Sequence, residues 1–166
     1  MTDRQSKMPV AILISGRGSN MLSLIEACEN PDYPARIVVV ISDREEAGGL
    51  ASAQTRGIPA LALPRARYDS REAFEAALDS SLRQYGAELV CLAGFMRILS
   101  AAFIDQWRGR ILNIHPSLLP DFKGLNTHRR ALEAGCEQHG CSVHIVTPEM
   151  DEGPVLGQAQ IPVKPD

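Results

Sequence analysis

The chain has 166 residues, 45% hydrophobic and 22% charged, the proportions of an ordinary globular protein with enough length to bury a full core. Its formal net charge of −3, from 17 basic and 20 acidic residues, argues against a nucleic-acid binder, because a phosphate footprint needs a basic excess. No apolar run reaches the roughly 20 residues of a membrane span, and the polar stretch from Met1 to Lys7 has no apolar signal core, so a cytoplasmic protein is expected, without nucleic-acid or membrane partners.

Four cysteines are scattered with no CxxC, as suits reduced thiols. Cys136 and Cys141 lie near His139 and His144, but the spacing fits no common zinc pattern, and no metal is expected.

The first element is the continuous apolar run Val10 to Ile14, the pattern of a buried parallel strand. It runs into Ser15-Gly16-Arg17-Gly18-Ser19-Asn20, after which Met21, Leu22, Leu24, Ile25 and Cys28 recur at helical spacing. Strand, glycine-rich turn and helix start together make a candidate anion site, since glycines allow close approach and the free N–H groups face the ligand. Ser19 and Asn20 are suitable N-caps. The turn lacks the third glycine of GxGxxG and the Lys-Ser/Thr ending of a P-loop, so a monophosphate fits better than a dinucleotide or a nucleoside triphosphate. A tight turn without a ligand explains the loop alone equally well.

A second buried-type strand spans Ile37 to Ile41 and ends at Ser42-Asp43. Gly48 to Arg56 reads as a helix closed by Gly57, and Ile58 to Leu63 as a short strand placed at an edge by Pro59. Ser70 to Tyr85 is a helix started by Asp69 or Ser70, with Phe74, Ala77, Leu78 and Leu82 on its apolar face. Glu88 to Leu92 is a strand that continues into Ala93-Gly94-Phe95-Met96-Arg97-Ile98-Leu99, which either lines a pocket for a flat ring or closes the core. A short helix over Ser100 to Trp107 follows, with Ser100 as its cap.

The segment Ile111-Leu112-Asn113-Ile114-His115 ends at Pro116, which has no N–H for a ladder. Alternation puts Asn113 and His115 on one face at the strand's carboxyl end, where open α/β sheets place ligands. An amide beside an imidazole suits polarising a carbonyl oxygen and moving a proton. A single Asn or His is more often a turn cap or a core group; the pair in register favours chemistry. A proline-rich loop leads to a helix over Thr127 to Ala134 stopped by Gly135. Cys141 to Val146 alternates, with Ser142 and His144 sharing a face, and an acidic loop from Thr147 to Pro154 precedes a last strand over Val155 to Val163. Asp151 in that loop is the candidate carboxylate to orient His115, although acidic clusters are commonly just solvated. No nucleophile motif such as GxSxG is present, which favours direct group transfer. Strands alternating with helices predict a three-layer α/β Rossmann-like open sheet, mostly parallel, in one domain over residues 1–166 with a flexible tail at 1–8.

Ile14 to Asn20, Ala93 to Leu99, Asn113-Ile114-His115-Pro116-Ser117-Leu118-Leu119-Pro120 and Asp151-Glu152-Gly153-Pro154-Val155 together closely resemble the phosphoribosylglycinamide formyltransferase family, folate-dependent enzymes of purine synthesis. The resemblance runs from about Val10 to the end. The Asn113 to Pro120 motif and Asp151 are shared by the wider formyltransferase superfamily; the glycine loop and Met96 to Leu99 point to the glycinamide ribonucleotide branch.

The resemblance implies a formyltransferase fold and transfer of a formyl group from the co-substrate 10-formyltetrahydrofolate to the glycinamide amine through a tetrahedral intermediate. Gly18, Ser19, Asn20 and Met21 would hold the substrate's phosphate and ribose. Arg71, Met96, Arg97, Ile98, Leu99 and Asn113, with Thr147, Pro148, Glu149, Met150 and Asp151, would hold the folate. Asn113 and His115 would stabilise the intermediate's oxygen, and Asp151 would orient His115 and help relay the proton. Ser142 and His144 would support them from behind, and His128 is read as a surface residue. Family members continue past the position of Asp166 with a strand and a helix, so that part of the fold is expected to be missing. The assembly would be a monomer or homodimer. Competing readings are another 10-formyltetrahydrofolate enzyme (a hydrolase or a transfer-RNA formyltransferase) and a non-catalytic phosphosugar-binding module.

Overall fold

In the computed structural model, residues 6–165 are described. They form two compact units, residues up to Leu99 and residues from Ser100 onward.

In the first unit, β1 (Met8–Ile14), β2 (Ala35–Ser42), β3 (Ala60–Ala62) and β4 (Leu89–Leu92) alternate with α1 (Ser19–Glu29), α2 (Gly48–Thr55) and α3 (Arg71–Gln84). The strands lie in the order β3-β2-β1-β4, and every pairing is parallel, as the runs of β-branched residues require of strands covered on both faces. The expected edge strand is there but short. It starts at Ala60 because Pro59 has no N–H to donate, while the Pro59 carbonyl still accepts from Val40 N–H at 2.9 Å. One core cluster gathers Ile12, Ile14, Met21, Ile25, Val40, Ala47, Leu50, Ala53 and Ala93.

β1 and β2 each begin two residues before the expected start, because Met8 pairs with Ala35. The expected tail through residue 8 is thereby corrected: Met8 is in the ladder, and residues 1–5 lie outside the described part. Ser70 rather than Asp69 caps α3, its hydroxyl accepting from Ala73 N–H at 3.0 Å.

In the second unit, α4 (Ala101–Gln106), β5 (Ile111–His115), α5 (Thr127–Glu133), β6 (Gln138–Ile145) and β7 (Val155–Pro162) follow one another. Here the order is β5-β6-β7 and both pairings are antiparallel. Phe103, Ile104, Trp107, Ile111, Leu119 and Ala131 are buried. β6 begins at Gln138, three residues before the alternation becomes visible. Gly140 hides that start from any pattern, and it cannot be replaced, since an added Cβ would fall onto the Ala159 carbonyl oxygen of β7.

Candidate active site

The second unit carries the polar cluster. β5 and β6 pair so that Asn113 faces His144 and His115 faces Ser142. Antiparallel partners directly opposite project to the same side of the sheet, so the four polar side chains sit together. Asn113 Nδ2 lies 3.3 Å from His144 Nε2, and His144 Nδ1 lies 3.1 Å from the Ile145 carbonyl. A carbonyl only accepts, so Nδ1 carries the proton, Nε2 accepts, and the Asn113 amide donates. That uses one of the two N–H bonds of the amide.

His115 is 5% exposed. Its Nε2–H donates to the Phe122 carbonyl at 2.9 Å, and its Nδ1 lies 3.4 Å from Asp151 Oδ1. Both ring nitrogens thus face oxygens, an arrangement suited to a ring that carries positive charge during a reaction. The second Asp151 oxygen, Oδ2, accepts from Gly124 N–H at 2.8 Å, and Oδ1 is also 4.0 Å from His144 Nε2. A backbone donor on one oxygen leaves the other aimed at His115.

Asp151 reaches this place because the acidic loop folds tightly against β6. Ile145 N–H donates to the Pro154 carbonyl at 3.0 Å. A Cβ at Gly153 would fall onto the Ile145 carbonyl oxygen, so the approach needs glycine. Asp151 itself has φ 56°, the left-handed region that Asp tolerates better than most side chains. Ser142 is fully buried beneath the cluster. Its hydroxyl donates to the Ser117 carbonyl at 2.7 Å and accepts from Leu119 N–H at 3.0 Å, which fixes the loop after β5. A cleft of about 330 Å³ beside it is lined by Leu119, Pro120, Lys123, Asp151, Glu152, Gly153 and Val155. A larger apolar hollow of about 500 Å³ lies instead against His128, His139, Leu132 and Ile161; the polar cleft is the one that meets the cluster's carboxylate. Among the described residues no group of three or more His, Cys, Asp or Glu is arranged to hold a metal ion.

The sequence patterns missed several participants. The carbonyl of Phe122 and the N–H of Gly124 are backbone groups that no side-chain motif announces. His139 is buried and hydrogen-bonds His128 ring to ring, at 2.9 Å. Burial and the neighbouring His128 charge hold the His139 pKa below its ordinary value. His128 is exposed, yet tied by that bond. Gln158 of β7 donates to the Leu119 carbonyl at 2.9 Å and to Ser142 Oγ at 3.0 Å.

The other candidates belong to other elements. The glycine turn belongs to the first unit, where Gly18, at φ 75° and ψ 37°, is the N-cap of α1. This corrects the expected cap: Ser19 and Asn20 are already inside the helix, and no side chain caps it. The left-handed Gly18 turns the chain one residue earlier, which leaves the first N–H groups of α1 without a capping side chain. A Cβ at Gly18 would stand 2.9 Å from Met21 Cε and 3.3 Å from Gly49 Cα, and Gly49 N–H donates to the Gly16 carbonyl at 3.0 Å. Met96 and Ile98 are exposed, 69% and 68%, whereas Leu99 is buried. Arg71 is exposed at the first turn of α3. In the acidic loop Thr147 Oγ1 donates to the Glu149 carbonyl at 3.2 Å, and Pro148, Glu149 and Met150 are exposed.

The model of the formyl transferase family matches residues 8–166. The chain is 49% identical to phosphoribosylglycinamide formyltransferase of Escherichia coli over 156 residues, 94% of this chain and 74% of that protein. It is 48% identical to the trifunctional purine biosynthetic protein adenosine-3 of Gallus gallus over 159 residues, 96% of this chain but 16% of that longer protein. Against the crystal structure of phosphoribosylglycinamide formyltransferase from Brucella melitensis the TM-score is 0.92 at 52% identity, covering 95% of this chain and 81% of that one. That likeness shows the α/β Rossmann-like class with a mostly parallel sheet. With most of its length matched by the family and by close relatives, the chain belongs to the formyl transferases, on the phosphoribosylglycinamide formyltransferase branch.

Proposed function

We propose that this chain transfers the formyl group of 10-formyltetrahydrofolate to the amine of 5'-phosphoribosylglycinamide, a step of purine synthesis, and that residues 1–166 act as one formyltransferase domain. The observation that carries the reading is the cluster on β5 and β6: Asn113 and His115 side by side, with Asp151 Oδ1 3.4 Å from His115 Nδ1. The names of the E. coli and Brucella relatives favour the glycinamide substrate over the hydrolase and transfer-RNA alternatives.

The amine attacks the formyl carbon, and negative charge grows on the formyl oxygen. The Asn113 N–H that His144 does not use and an N–H of His115 receive that oxygen. Binding exchanges the Phe122 carbonyl on His115 Nε2 for the reacting oxygen. Asp151 balances the charge of His115 and takes part in moving the proton from the amine toward the departing nitrogen. Such donors act strongly because they are in place before the charge appears. Gly18, Ser19, Asn20 and Met21 hold the phosphate and ribose with the uncapped start of α1. Arg71, Met96, Arg97, Ile98 and Leu99, with Thr147 to Asp151, hold the folate. The protein works in the cytoplasm as a monomer or homodimer on small molecules.

The test is turnover with 10-formyl-5,8-dideazafolate and phosphoribosylglycinamide. Wild-type turnover should need both substrates, and His115→Ala should lower kcat about 10²- to 10⁴-fold, the range for a positioned acid–base group, with the fold intact by circular dichroism. Turnover that survives His115→Ala would sink this assignment.

A further inference from the structure

We infer that Asp43 is a positioning residue that sets the conformation of the Met96–Leu99 segment, and through it the affinity for the folate co-substrate. This rests on the folate reading above for that segment. Asp43 follows the last residue of β2, and its side chain is completely buried. Ile14 of β1 pairs with Ser42 of β2, so Ser15 and Asp43 stand side by side one step past the ladder. The chain after β4 arrives at the same edge, since Leu13 pairs with Leu92 and Ala93 N–H donates to the Leu13 carbonyl at 2.9 Å.

Beyond Ala93 the segment has no regular structure, Gly94 turns it at φ 75°, and the Met96 and Ile98 side chains are exposed rather than packed. Two successive residues are instead tied to Asp43. Ser15 Oγ donates to Asp43 Oδ1 at 2.6 Å, and Arg97 Nε donates to Asp43 Oδ2 at 2.7 Å. A serine has one hydroxyl proton, and here it points at the carboxylate. Its oxygen therefore accepts, and Met96 N–H donates to it at 2.9 Å. Met96 is fixed by its backbone and Arg97 by its side chain, both through one buried carboxylate. Asp43 Oδ2 accepts from Nε of the guanidinium, which fixes where that nitrogen lies beside the segment.

A buried carboxylate is costly and is often replaceable by apolar groups without loss of stability. Its presence here makes sense if it specifies one arrangement of an exposed strip that must meet a flat ligand. Only a group accepting with both oxygens maintains the pattern. An isosteric amide has one acceptor oxygen, so it would satisfy Arg97 or Ser15 but not both.

The experiment uses Asp43→Asn and Ser15→Ala in the full chain, with calorimetric binding of 10-formyl-5,8-dideazafolate, steady-state kinetics, and amide exchange at Met96. Loss of a charge-assisted bond in Asp43→Asn should weaken folate-analogue binding about tenfold and raise its KM in parallel. The KM for phosphoribosylglycinamide should stay unchanged, and kcat at saturation should fall less than about threefold. Ser15→Ala should give a smaller rise, the double variant should be no worse than Asp43→Asn alone, and Met96 amide exchange should speed up in each. A folded Asp43→Asn protein with unchanged analogue affinity, or unchanged Met96 exchange, overturns the inference. If Asp43→Asn does not fold, Ser15→Ala decides by the same two readings. A wild type that binds no analogue removes the folate reading and this inference with it, whereas normal wild-type binding with unaffected variants removes the inference alone.

Discussion

Compare β1 with β5. In β1 all seven residues are apolar and every one after Met8 is buried; its polar partner, Ser15, comes only after the strand has ended. In β5 polar residues alternate with apolar ones inside the strand, and only Ile111 and His115 are buried. The first pattern is enforced by parallel neighbours on both sides, with both faces covered. The second is made possible by an antiparallel partner that brings its own polar residues, Ser142 and His144, to the same face. One strand contributes apolar burial. The other carries the polar residues proposed for the reaction, and they are held by hydrogen bonds rather than by close packing.

The sharpest way to break this contrast is to truncate one buried residue in each strand, Leu13 in β1 and His115 in β5. Leu13→Ala, at a fully buried site, should destabilise the fold by about 2–5 kcal/mol, the range for a core leucine, while the folded protein keeps its kcat. Chemical denaturation with activity measured in the native baseline checks both halves. His115→Ala should do the opposite, and a variant pair that moved stability and kcat together would erase the distinction.

A glycine test sharpens the comparison at the carboxyl end of β1. Gly18→Ala imposes a side chain on a φ of 75° and brings Cβ within 2.9 Å of Met21 Cε. It should cost about 1–2 kcal/mol, typical of a left-handed position, and raise the KM for phosphoribosylglycinamide before that for the folate. Equal rises in both would separate the loop from the phosphate.

The smallest effect concerns pH. His139 is held neutral by burial, with the charge of His128 adding to the effect, so its folded pKa lies below the unfolded one. The folded state then binds fewer protons, and stability should fall as the pH drops from the ordinary imidazole range toward the lowered value. Above that range His139 should contribute no slope. Melting temperature between pH 7.5 and 5, with His139→Gln as control, measures it. A slope unchanged by the substitution would assign the titration to another group.

Much of this protein was legible in its sequence because the signals are local. The order of strands and helices follows from apolar periodicity, the cap at Ser100 from side-chain chemistry, which left Asp69 and Ser70 open for α3, and the common face of Asn113 and His115 from the two-residue repeat of a strand. The pairing of Ser142 and His144 on one face was readable by the same rule. Other features depend on approaches between distant parts of the chain. Nothing local shows that β5, β6 and β7 run antiparallel, that β6 starts before Gly140, or that Gly18 displaces Ser19 as the cap. Nor does the acidic loop announce that Asp151 turns inward, since that requires the missing side chain of Gly153 against Ile145 and the backbone N–H of Gly124. The buried Asp43 is the clearest case. In the sequence it is a polar residue ending a strand, and only three strand ends converging in space give it Ser15 and Arg97 as partners. Periodicity encodes which face a residue takes within its element, while tertiary packing alone chooses which groups meet across elements and supplies the backbone donors and acceptors that hold them.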